Sequence, residues 1–123
     1  METIKKSAQK KVNVEPDNIL VEKYQHGDSK ALGILVQRHQ KWLIPVITSW
    51  VHDRDTAWDI FQFTCFKVST TLKIPGAYKE TQNFRAWITI IAKNHMINIY
   101  RRNRRIIDYL IQDTKKIRNI FSS

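Results

Sequence analysis

Between Thr81 and Ile107 the chain carries six Lys/Arg residues and no Asp or Glu. Arg85 and Lys93 are spread along this stretch, Asn94 and Asn98 stand near them, and Arg101, Arg102, Arg104 and Arg105 crowd its end. Cationic side chains attract phosphate with little regard to sequence, whereas amide side chains bond base edges. Groups of these types along one helix suit a polyanion, and nucleic acid is the first to consider. The whole chain agrees, with 21 basic against 11 acidic residues and a formal charge of +10. Such a balance speaks to partners and solubility rather than to fold; anionic membrane and a strongly acidic protein are the other candidates.

Other chemistries find no support. His26, His39, His52 and His95 fall on separate helices or breaks without a paired-ligand spacing, so no metal is expected. There is no Ser/His/Asp set, no paired carboxylate arrangement and no glycine-rich phosphate loop, so neither an enzyme nor a cofactor is expected. One cysteine, Cys65, excludes an internal disulfide framework; its neighbours Phe61, Phe63, Phe66 and Val68 suggest a buried, unreactive thiol. Met1 to Glu15 is polar and lysine-rich, unlike a signal peptide. The longest uncharged, largely apolar run, Trp42 to Val51, is too short to span a bilayer and contains Pro45. A soluble cytoplasmic protein is the expectation.

The elements that must carry these residues are helices. Three glycines, three prolines and the lack of alternating polar and apolar positions argue against strands. Residues 1–16 are expected to be a flexible lead-in. Asp17 or Asn18 is the candidate cap of a short helix through Gln25, ended by His26-Gly27. Asp28 caps a longer helix with Leu32, Leu35, Val36, Leu43, Ile47 and Val51 at helical spacing, which Pro45 is expected to kink or end early. Asp53 caps a third helix through Ala57, Ile60, Phe61, Thr64, Val68 and Leu72. Lys73 to Glu80 is a loop punctuated by Pro75-Gly76. The basic helix begins near Thr81 or Gln82, with Phe84, Trp87, Ile88 and Ile91 as a core stripe. Ile106, Ile107, Leu110, Ile111, Ile117 and Phe121 predict a further amphipathic segment after it. The class is all-α, a compact bundle of four to five helices.

Gly27-Asp28-Ser29-Lys30-Ala31-Leu32, Asp59-Ile60-Phe61-Gln62, Phe84-Arg85-Ala86-Trp87-Ile88, Ile91-Ala92-Lys93-Asn94 and Arg101-Arg102 occur in an order and spacing that resembles one module. It is region 2 of bacterial RNA polymerase sigma factors of the extracytoplasmic-function type, over about residues 18 to 105. The resemblance implies a helical domain with two working surfaces. On the third helix, Asp59 and Gln62 match the family's docking motif for the β′ clamp helices of core polymerase. Phe63 stands where Glu is usual, and Trp58 where a second acidic residue is frequent. That removes acidic groups from the docking face and adds apolar area, so Asp59, Gln62 and Phe63 are the candidate polymerase-binding residues.

The second implied surface is promoter DNA, the non-template strand of the −10 element. The loop before the last helix captures a flipped base in the family; here Tyr78 is the candidate stacking platform, with Lys73 and Lys79 on phosphates. Arg85, Lys93, Asn94, Asn98, Arg101 and Arg102 align with DNA-facing and neighbouring family positions, while Arg104 and Arg105 set register on phosphates. A membrane role for the basic end is disfavoured because the stripe beside it belongs to the core. The division expected is a lead-in at 1–16, a region 2-like domain at 17–105, and an amphipathic segment or linker start at 106–123. The chain stops before a −35-reading domain. The alternative function is a sigma-like decoy or regulator that binds polymerase or an anti-sigma factor without recruiting a promoter.

Overall fold

A computed structural model of the chain describes residues 14–79 and 83–122, and among these it holds four helices and no strand. They are α1 (Asp17–Gln25), α2 (Ser29–Val51), α3 (Arg54–Thr71) and α4 (Phe84–Ser122). The expected all-α bundle is what the chain forms. Thr81 and Gln82, the expected start of the basic helix, lie outside the described residues, as do residues 1–13.

Local chemistry accounts for most helix ends. Gly27, at φ +105°, turns the chain between α1 and α2, and the Asp28 N–H donates back to the Lys23 carbonyl at 2.9 Å. The Asp28 carboxylate then accepts from the Lys30 N–H at 3.1 Å. Asp53 caps α3, accepting from the Thr56 N–H at 3.2 Å and from the Thr56 hydroxyl. Those bonds favour its ionised form and hold its carboxyl below the ordinary range. Asn83 serves α4, accepting from the Ala86 N–H at 3.3 Å.

One expectation, and half of another, fail at this level. Pro16 occupies the cap position of α1 and no side chain caps it. Asp17 lies in the first turn and reaches Arg38 and His39 of α2, and Asn18 accepts from the Tyr78 hydroxyl at 3.0 Å. Partners distant in sequence take the groups that the local cap would have used. Nor does Pro45 end α2, which continues to Val51. Pro45 and Lys41, four residues back, are both exposed, so solvent can serve the carbonyl that loses its N–H partner.

Leu20, Val21 and Tyr24 of α1, Leu35, Leu43 and Ile47 of α2, and Ile60, Phe61 and Val68 of α3 form one core. Phe84, Ile88 and Ala92 of α4 close it, with Trp87 and Ile91 half-buried at its margin. Cys65 is half-buried beside this core, and burial pushes its thiol up to about 11, well away from a reactive thiolate. From Tyr100 onward every described side chain of α4 is exposed. The second apolar segment is therefore a straight continuation of α4 that runs off the bundle for about 30 Å at 1.5 Å per residue.

A polar cluster pins α1 to α2. The Trp42 Nε1–H donates to His39 Nδ1 at 2.9 Å, which leaves the His39 Nε2–H to donate to Asp17 Oδ1 at 3.0 Å. Arg38 Nη1 donates to the same oxygen at 2.9 Å. His39 is only 4 % exposed, so its ring depends on these bonds. Asp17→Ala is expected to cost about 1–3 kcal/mol by stranding a buried donor, and Asp17→Asn, which keeps an acceptor, less. Urea unfolding of the two variants measures the difference; equal, negligible losses would remove the cluster from the account of stability.

Candidate polymerase and nucleic-acid interfaces

Helix α3 turns Ala57, Ile60, Phe61, Thr64 and Val68 into the core, and the opposite stripe faces outward. Asp59, Gln62, Phe63 and Phe66 fall on that stripe at positions i, i+3, i+4 and i+7, all exposed. Phe66 is 63 % exposed, too open for a core residue. Sequence reasoning grouped it with the apolar surroundings of Cys65; its seven-residue offset from Asp59 was the signal that could have placed it on the outer stripe. Trp58 borders the stripe, edge-on to Phe61 with centroids 6.1 Å apart.

Phe63 has a second attachment. Its ring stacks on His95 of α4, centroids 3.7 Å apart and planes 12° from parallel. Burial, and secondarily the charge of Arg102, hold His95 below the ordinary histidine range, so a neutral imidazole makes this stack. Phe63 is thus a link between α3 and α4 as well as part of the outer face.

On α4, Lys93, Asn94, Asn98, Arg101, Arg104 and Arg105 are all exposed, and at 100° per residue they fall within one arc of the helix. Lys93 and Arg101 are separated by about 12 Å of helix axis. Ile90, 57 % exposed, shares that arc and was missed; an exposed isoleucine among cations supplies apolar contact that charge counting does not detect. Two expected members stand apart. Arg102 follows His95 by two turns, on the side of α4 that faces α3, where its charge is felt by that ring. Arg85 lies off the arc, its guanidinium carbon 4.2 Å from the Trp42 ring centroid.

The loop after α3 brings a third feature. Pro75 and Gly76, the latter at φ +78°, form a type II turn closed by the Ala77 N–H on the Ile74 carbonyl at 3.1 Å. Between this loop and the end of α1 lies a groove of about 670 Å³ lined by Tyr24, Gln25, Leu72, Lys73, Pro75 and Tyr78 among others. Lys73 is exposed, with Nζ 5.2 Å from the Tyr24 ring centroid, and Lys79 is exposed at the loop's end.

Tyr78 requires a correction. It was expected to offer a stacking face, yet it is 7 % exposed, its ring packed edge-on to Trp87 and Phe84 at 4.8 and 6.0 Å. Burial, with Asp17 nearby, pushes its hydroxyl above the ordinary tyrosine range and keeps it a neutral donor to Asn18. The loop is anchored by this residue because an aromatic ring beside an apolar helix start gains more from burial than from solvent. In this arrangement Tyr78 shapes the groove wall and leaves no open face for a base.

The described residues contain no cluster able to hold a metal ion and no helix long and apolar enough to cross a membrane. The bundle thus exposes a mixed apolar and acidic-amide stripe on α3 and a basic-amide arc on α4. Residues 35–106 match the family model described as Sigma-70 region 2. The chain belongs to the sigma-70 region 2 family. It is 34% identical over 87 residues to the RNA polymerase sigma-H factor of Pseudomonas aeruginosa, which covers 68% of this chain and 44% of that protein. It therefore spans less than half the length of that curated relative. Among solved structures it is similar to an engineered region 2 of sigmaE in complex with GTAAAA, determined by NMR. The TM-score is 0.59 and the identity 29%, over 72% of this chain and 93% of that one. The family match ends at Ile106, where the exposed extension of α4 has just begun.

Proposed function

We propose that this chain is the promoter-recognition module of an extracytoplasmic-function sigma factor, docking on the β′ clamp helices of core polymerase through α3 and engaging the −10 element through α4. The observation that carries this reading is that one bundle exposes both surfaces. The Asp59/Gln62/Phe63/Phe66 stripe is suited to a protein partner, and the Lys93–Arg105 arc is suited to a nucleic-acid strand. The similar sigmaE region 2 was solved in complex with GTAAAA, which supports an A-rich nucleic-acid ligand for this chain. The groove behind Lys73 is the place proposed for a displaced base, with Tyr78 as wall and Lys73 on the adjoining phosphate. Unstacking costs a few kcal/mol, which contacts in such a groove must offset.

The division into a region 2 domain at 17–105 followed by a linker is part of the same proposal. Asn94 is its base-reading candidate. Asn94→Ala is expected to flatten preference among −10 sequences by roughly 1–3 kcal/mol at one position. Competition binding with a panel of singly substituted oligonucleotides in the polymerase-bound state measures this, and a uniform loss across the panel would count against base reading.

A second reading has one observation in its favour: the proposed docking stripe carries the exposed rings Phe63 and Phe66, which also suits a decoy that binds polymerase or an anti-sigma factor without opening a promoter. Transcription from a −10-containing template with reconstituted polymerase separates the two. Productive initiation supports the sigma reading, and polymerase binding without initiation supports the decoy.

A further inference from the structure

We propose that Trp42, held in place by His39 and Asp17, is a positioning residue that aims Arg85 at a phosphate of the bound strand; this rests on the nucleic-acid reading of α4. Arg85 is the second residue of α4, where a cation opposes the helix macrodipole, so local stability does not favour it there. It is exposed, and among the described residues it makes no ion pair with an acidic group. Its contact is with the face of the Trp42 indole, 4.2 Å from the ring centroid. Stacking engages the flat face of a guanidinium and leaves its N–H edges available for an anion.

The indole is not free to turn. Its N–H is committed to His39 Nδ1 at 2.9 Å, and the buried His39 ring is in turn committed through Nε2 to Asp17 at 3.0 Å. His39 also packs against Phe84, the first residue of α4, with centroids 5.0 Å apart. The chain of contacts runs from α1 through α2 to the start of α4. It fixes both the platform and the helix end that carries the cation. Arg85 is outside the Lys93–Arg105 arc, so it adds a separate phosphate contact near the loop rather than extending the arc. An arginine already held in one geometry loses less freedom on meeting a phosphate than one waving in solvent.

A salt series of fluorescence-anisotropy titrations tests this, using the whole chain and a labelled mixed-sequence single-stranded deoxyoligonucleotide. Arg85→Ala is expected to lower the slope of log affinity against log salt by about 0.7, one strand phosphate. Trp42→Leu is expected to weaken binding about two- to fivefold when Arg85 is present and to have no effect on an Arg85→Ala background. Trp42→Phe, which keeps a ring face, recovers part of the loss. Each variant is shown to be folded at the titration temperature by its melting transition, so the coupling is read among folded proteins. Arg85→Lys, which keeps the charge but not the planar fork, is expected to bind between the wild type and Arg85→Ala. Equal affinity losses from Trp42→Leu on both backgrounds, or full binding by Arg85→Lys, overturn the positioning role while leaving the nucleic-acid reading intact. A folded wild type that does not bind the oligonucleotide overturns both.

Discussion

Asp59→Ala combined with Gln62→Ala is expected to abolish capture of core RNA polymerase, or of its isolated β′ clamp helices, at concentrations where the wild type is retained. Both side chains are exposed on the outer stripe of α3, opposite its buried residues, so their removal leaves the bundle's packing intact. A carboxylate that bonds a cationic partner across an interface contributes about 1.5–3 kcal/mol, and an amide bond about 0.5–1.5 kcal/mol. Together these correspond to a loss of roughly 30-fold or more in affinity. Phe66→Ala provides the apolar arm. Burying that ring against a partner is worth about 1.5–3 kcal/mol, so its truncation should weaken capture while leaving the melting temperature nearly unchanged. Undiminished capture by the double variant would show that this stripe is not the docking face.

Arg101→Glu combined with Arg105→Glu is the second large effect. The two guanidiniums lie one turn apart on the exposed arc that also carries Lys93 and Asn94. If both hold phosphates of a single strand, the slope of log affinity against log salt should fall by about 1.4, and affinity at low salt by more than tenfold. The loss should be similar for every sequence, because phosphate contacts carry register rather than base identity. Arg102→Glu should be milder toward DNA, since Arg102 lies at the edge of the arc, two turns after His95, and its charge acts on that ring. An unchanged slope in the double variant would mean that this end of α4 does not meet the strand.

Arg101 and Arg102 are neighbours in sequence, yet Arg101 shares the exposed arc with Arg105 and Arg102 falls at its edge, two turns after His95. The six cations between Thr81 and Ile107 are legible in the sequence, because charge is a property of composition. Sorting them needed the direction in which α4 packs. His95 stacks on Phe63, and that contact turns the Arg102 position toward α3. Arg85 lies over Trp42, a residue 43 positions earlier, and no local pattern links the two.

The pairing of Asp59 with Gln62 was legible because both lie on one face at helical spacing and the resemblance supplied the motif. Phe66 was not, since a phenylalanine near other apolar residues reads as core until the helix's buried side is known. Tyr78 shows the converse error. A tyrosine in a Pro-Gly loop reads as exposed, yet Trp87 and Phe84 at the start of α4 offer it an apolar seat, and Asn18 offers its hydroxyl a partner.

Helix class, helix order, the Gly27 turn and the caps at Asp28 and Asp53 follow from the chain's own order of residues. Each depends on groups within about four positions of one another. The +10 charge and its concentration toward the C-terminal half were equally plain, and so was the absence of strand periodicity. Folding settled which of several equivalent-looking side chains work together. Asp17 passed from a cap to a partner of His39, Tyr78 from a platform to a wall, and Arg85 from one cation among six to the one held by an indole. Those assignments rest on contacts between different elements, from six positions apart for Tyr78 and Phe84 to 43 for Trp42 and Arg85. Their formation depends on how four apolar stripes share a single core.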